Sequence, residues 1–109
     1  MQRLAVDLAD SGSVFSATAE VDGDLVTVQV TGEVDMATAD AMFQAATRHR
    51  AAGLRLDLRG VTFFDSAALR AVIRLAERFR SSLTVLPSAQ VQRVLEIAGL
   101  LDQPWVKQP

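Results

Sequence analysis

A chain of 109 residues, half of them hydrophobic, holds enough apolar material for one buried core and too little length for a second domain. Its formal net charge of −2 argues against nucleic acid or an anionic membrane as the main partner, and the absence of cysteine excludes disulfides, thiolate metal sites and cysteine nucleophiles.

The N-terminus lacks a signal-peptide pattern, because Asp7 and Asp10 interrupt its apolar residues, and no apolar run approaches the ~20 residues that cross a bilayer. A soluble cytoplasmic protein without membrane insertion is the expectation. Residues 1–13 read as a leader or weak edge strand, from the short alternation Leu4-Ala5-Val6-Asp7-Leu8 followed by the loop-forming Asp10-Ser11-Gly12-Ser13. Residues 14–109 read as a single domain.

Two strands are predicted over residues 15–21 and 25–31. Phe15, Ala17, Ala19 and Val21 share one face of the first, and Val26, Val28 and Val30 one face of the second. Asp22-Gly23-Asp24 between them is a hairpin signal, since glycine accepts the positive φ of a tight turn. Gly32-Glu33-Val34-Asp35 then ends the second strand. Ala39, Met42, Phe43 and Ala46 repeat at helical spacing towards Gly53, a plausible C-cap, with Asp35 and Thr38 as candidate N-caps.

The hydrophobic period changes within residues 54–80. Leu54, Leu56 and Leu58 alternate with Arg55, Asp57 and Arg59 as in a strand, whereas Leu69, Val72, Ile73 and Ala76 recur as on a helix. The connection, residues 60–66, closes on Asp65 or Ser66 as the N-cap and places Ser66 at the positive end of the helix. Arg70, Arg74, Arg78 and Arg80 cluster on this helix and, with Glu77 among them, read as a solvated face. A short strand over residues 83–86 follows. Pro87-Ser88 then opens a third helix that buries Val91, Val94, Leu95 and Ala98 and stops at Gly99, and Leu100, Leu101, Trp105 and Val106 form a last short strand or cover the core. Alternating strands and helices predict an α/β fold, a mixed sheet of four to five strands with about three helices packed on it.

Spacing alone leaves Ser66 open to two roles, a helix cap or a regulated hydroxyl. Catalysis fits poorly. The sole histidine, His49, falls at the far end of the first helix, and no G-x-S-x-G elbow surrounds Ser66. The glycines are dispersed rather than gathered in a phosphate loop, and Asp22, Asp24 and Asp35 read as turn and cap residues rather than metal ligands. Asp57 stands mid-strand, not at the strand end where a phospho-acceptor aspartate would be expected.

Gly32-Glu33-Val34-Asp35 after the second strand, together with Phe64-Asp65-Ser66-Ala67-Ala68-Leu69 at the start of the second helix, resembles the STAS domain, especially bacterial anti-sigma factor antagonists. Val94-Leu95-Glu96-Ile97-Ala98-Gly99-Leu100 is similar to the family's third-helix ending, and the resemblance spans roughly residues 15–106. It implies a non-enzymatic switch without a cofactor, a monomer or weak dimer that binds a serine-kinase-type anti-sigma factor and so frees a sigma factor. It further implies phosphorylation of Ser66. Because connections at one end of the strands bring the Ser66 helix start, the Gly32 to Asp35 loop and the beginning of the first helix near each other, the expected partner surface is Glu33, Asp35, Thr38, Asp40, Asp65, Ala67, Ala68, Leu69 and Arg70. The family's usual Asp-Ser-Ser/Thr-Gly-Leu is here Asp65-Ser66-Ala67-Ala68-Leu69, so a second hydroxyl is missing and a methyl replaces a glycine hydrogen; that methyl is expected to narrow the surface a partner approaches. A STAS subunit of a membrane transport complex, or less plausibly a small serine hydrolase, is the alternative function.

Overall fold

The computed structural model describes residues 2–6 and 14–107. Five strands form one sheet in sequential order: β1 (Gln2–Val6), β2 (Phe15–Asp22), β3 (Leu25–Val34), β4 (Gly53–Phe64) and β5 (Leu83–Pro87). The first three pair antiparallel, and β3–β4 and β4–β5 pair parallel. Each parallel step carries a crossover helix, α1 (Ala39–Thr47) between β3 and β4 and α2 (Ser66–Phe79) between β4 and β5; α3 (Ala89–Ile97) follows β5. The sheet is thus mixed and helix-packed, with β1 at one edge and β5 at the other.

The β2–β3 hairpin closes through Gly23 and Asp24, and Gly23 takes the positive φ of 60° that the two-residue connection needs. Inward residues of β2, β3 and β4 (Ala17, Ala19, Val26, Val28, Val30, Leu54, Leu56 and Leu58 among them) join Met42, Val72, Leu75, Val91 and Leu95 from the helices in one cluster. The opposite sheet face is polar. Cross-strand partners Thr18, Gln29 and Asp57 form one row there, and Glu20, Thr27 and Arg55 the next. The carboxylate of Asp57 is the one buried charged group among the described residues, and Arg59 grips it with two bonds, Nε to Oδ1 at 2.9 Å and Nη2 to Oδ2 at 2.8 Å. This bond from Arg59, outweighing partial desolvation, lowers the Asp57 pKa below the ordinary carboxylate value.

Several boundaries differ from the sequence expectation. Strand β3 continues through Gly32 and Glu33 to Val34 instead of ending at Thr31, and α1 stops at Thr47, so Gly53 opens β4 and caps no helix. Residues 60–64 are not a connection but the second half of β4. Gln29 pairs with Asp57, Thr31 with Gly60, Gly32 with Val61 and Glu33 with Phe63, so β4 gains one residue over β3 at each of two bulges. Its inward residues therefore run Leu54, Leu56, Leu58, Val61 and Phe64, and the two-residue period is lost from Leu58 onward.

In α3, Val91 and Leu95 are buried and Val94 half-buried, whereas Ala98 is exposed because the helix has already ended. Gly99, at φ 75°, reverses the chain, and Val106 returns to bridge Val85 in parallel while Trp105 stays half-buried. The sequence expectation for Asp7 and Leu8 lies outside the described residues.

Candidate functional site

Helix α2 begins where β3 and β4 end. The Asp65 amide donates to the Val34 carbonyl at 3.3 Å, and the Asp65 carboxylate accepts from the Ala68 amide at 3.0 Å. Asp65 is therefore the N-cap and Ser66 the first helical residue, which resolves the choice between them. With the cap supplied by its neighbour, the Ser66 hydroxyl is exposed and has no hydrogen-bond partner among the described residues. It projects from the turn whose orphan amides and dipole favour negative charge.

The loop from β3 into α1 lies alongside. Asp35 Oδ1 accepts from the amides of Ala37 (2.9 Å) and Thr38 (3.1 Å), and the Thr38 hydroxyl lies 2.9 Å from the Glu33 carbonyl and accepts from the Asp35 amide at 3.0 Å. Both side chains hold the loop in shape and are half-buried. The sequence candidates were Asp35 or Thr38 as N-cap. Thr38 occupies the position without a side-chain cap bond, and Asp35 closes the turn before it.

The expected contact residues thus divide by exposure. Glu33, Asp40 and Arg70 are exposed, and Ala67 and Leu69 are half-exposed. Asp65 is engaged as a cap. Ala68 is fully buried, so the methyl that replaces the family's glycine hydrogen faces the core and does not narrow the surface a partner approaches. Asp40, Ala67 and Arg70 line one shallow groove between α1 and α2, together with Met36, Ala39, Ala71 and Arg74.

Three apolar residues at this end carry no periodic signal in the sequence. Met36 is 85% exposed, Val14 60% and Phe63 45%. Glu33 joins two of them, its amide donating to the Val14 carbonyl at 2.6 Å and its backbone pairing with Phe63. Gly32 makes this approach possible. It sits at φ 88°, and a Cβ there would lie 2.1 Å from the Val14 carbonyl oxygen. An exposed Met in a polar turn was the available clue; Phe63 was obscured by the bulges.

His49 lies beyond the C-terminal end of α1, about 14 Å along the helix from the site end. Among the described residues no three His, Cys, Asp or Glu side chains gather, and no helix is long and apolar enough to cross a membrane.

A mixed five-stranded sheet with crossover helices, and an exposed serine at the start of the second of them, defines a small α/β domain. The sequence profile of the STAS domain matches residues 16–108, and the chain belongs to that family. No curated protein matches it. Among solved structures it is similar to an anti-sigma factor antagonist from Mycobacterium paratuberculosis, with TM-score 0.75, 24% identity, and 87% of this chain and 86% of that one covered. It is also similar to the anti-sigma factor antagonist SpoIIAA in its unphosphorylated form (TM-score 0.65, 20% identity, 85% and 87% covered). The phosphorylated form of the Bacillus cell fate determinant SpoIIAA gives TM-score 0.61 at 19% identity, with 85% and 90% covered. At these identities the likeness is one of fold.

Proposed function

We propose that this chain is an anti-sigma factor antagonist, a non-enzymatic cytoplasmic module that binds an anti-sigma factor and is switched off by phosphorylation of Ser66. The observation that carries the reading is the exposed Ser66 hydroxyl at the first position of α2, without a hydrogen-bond partner among the described residues, in a surface that also presents Met36, Glu33, Asp40 and Arg70. Its support from comparison is that structural neighbours are described as anti-sigma factor antagonists, one of them in unphosphorylated and phosphorylated forms.

The physical logic favours a switch over a cap. Phosphorylation adds about −1.5 to −2 charges, which the first turn of α2 accommodates without unfolding. At an interface the same charge must leave water, at a cost of several kcal/mol unless paired. Asp65 beside it adds like charge. Residues 14–109 form the binding domain in this reading, the chain acts as a monomer or weak dimer, and the partner is of the serine-kinase type.

The test begins with identification of the copurifying partner by mass spectrometry. Affinity is then measured for wild type, Ser66→Ala, Ser66→Glu and the phosphorylated form at one ionic strength. Ser66→Ala retains binding, and the two charged forms lose it. Equal affinity across all four forms eliminates the switch, and a transporter ATPase as the copurifying protein replaces this reading with that of a transport-complex subunit.

A further inference from the structure

Counting in fours from Ser66, α2 presents Arg70, Arg74 and Arg78, all exposed and all on one i±4 ridge of the helix. None of the three forms an ion pair with another described residue, although Asp40 lines the same groove as Arg70 and Arg74 and Glu77 precedes Arg78. The Arg74 guanidinium lies 4.0 Å from the centroid of the Phe43 ring, and that of Arg78 lies 6.0 Å from the centroid of the Phe79 ring. Such contacts steady the side chains and leave their charge uncancelled. Beside the ridge runs the groove between α1 and α2, whose floor is Ala39, Ala67 and Ala71 and whose open end is Met36.

We propose that groove and ridge together form the docking track for an acidic, amphipathic helical segment of the partner protein. Alanine side chains let another helix approach closely, Met36 adapts to an apolar anchor, and the uncompensated arginines select carboxylates along one flank. A nucleic acid fits less well, because its phosphates gain nothing from the apolar floor and meet Asp40 and Glu77 in a chain of net charge −2. The inference rests on the reading that the Ser66 end is the partner face, and it adds a mode of regulation. A phosphate on Ser66 is one helical turn from Arg70, pairs with it, and removes the first cation from the track.

The probe is a fluorescein-labelled amphipathic helical peptide of about five turns, Leu on one face and Glu on the other, read by anisotropy against the intact chain. A Leu/Lys peptide and a single-stranded oligodeoxynucleotide of matching length are the comparisons. The Leu/Glu peptide binds, weakens at least about tenfold between ionic strengths of about 0.02 and 0.3 M, and weakens at least about tenfold with Arg70→Glu/Arg78→Glu at unchanged thermal stability. Arg74→Gln, which changes charge without reversing it, weakens it less. No binding of the Leu/Glu peptide, equal binding of the Leu/Lys peptide, no loss with the double variant, or tighter binding of the oligonucleotide overturns the proposal. If the peptide fails while the copurified partner still discriminates the Ser66 forms, only the acidic track is wrong. If the peptide binds as stated while the partner ignores Ser66, only the switch is wrong.

Discussion

At the start of α2, the Asp65 carboxylate accepts from the Ala68 amide at 3.0 Å, and the adjacent Ser66 hydroxyl has no bond to another described residue. The cap and the proposed regulatory hydroxyl are thus different side chains. Asp65→Ala removes the cap and lowers unfolding free energy by about 0.5–2 kcal/mol, while Ser66→Ala changes it by less than about 0.5 kcal/mol; urea denaturation of both variants measures the contrast. Asp57 supplies a second residue-scale expectation. The Arg59 hydrogen bond depresses its folded pKa, so the pair's contribution is present above the unfolded carboxylate pKa of about 3.9 and is lost as pH falls through the lower folded value. Asp57→Asn therefore lowers stability at pH 7 and flattens the acid limb of the profile below about pH 4, which denaturation between pH 2.5 and 7, at intervals of about half a unit, resolves.

Among the elements, β4 governs where the site forms. Its two bulges turn the spacing of inward residues from two to three, which bends the strand and delivers Phe63 and the Asp65 cap beside Glu33. The facing end of β3 depends on Gly32, because no side chain fits against the Val14 carbonyl and φ is 88°. Gly32→Ala combines backbone strain of about 1–3 kcal/mol with that clash, whereas Gly23→Ala, at φ 60° with open space around the Cβ, carries the backbone cost alone. The expected order of urea midpoints is wild type, then Gly23→Ala, then Gly32→Ala. Equal losses would show that Val14 does not pack against Gly32.

For the molecule as a whole, one sheet face is committed to the helices and core, and the proposed partner surface lies at the strand ends and the outer sides of α1 and α2. Met36 and Phe63 are exposed there without a core role to lose. Met36→Asp/Phe63→Ser is expected to leave the thermal midpoint within about 3 °C of wild type and to reduce affinity for the copurified partner at least about tenfold, since exposed apolar anchors contribute to an interface and little to folding. Calorimetric unfolding and titration of the same preparations check both halves. Loss of stability together with affinity would place these side chains in the fold.

Much of this organisation is encoded locally. The alternation of Val26, Val28 and Val30, the Asp-Gly turn, a helix after Ser66 and Gly99 as a stop are short-range properties of backbone geometry and one-sided burial, and each is found where the sequence puts it. The placement of Ser66 at a helix start was legible for the same reason. The face of α2 was not: Ala68, Ala71, Val72, Leu75 and Phe79 are buried, whereas Leu69, Ile73 and Ala76 of the expected stripe are only half-buried, because sheet packing selects the face among several apolar positions. Three further matters needed the tertiary structure. Strand β4 extends past Arg59 because pairing with β3 tolerates two extra residues, and a bulge erases the very alternation by which a strand is recognised. Ala68 belongs to the core and not to the contact surface, because the direction in which α2 leaves the Asp65 cap decides which of two adjacent alanine methyls points inward. Met36, Val14 and Phe63, distant in sequence and on no common period, become one end of the molecule only when β2, β3 and β4 align; proximity of that kind is a property of sheet register, which no single stretch of the chain contains.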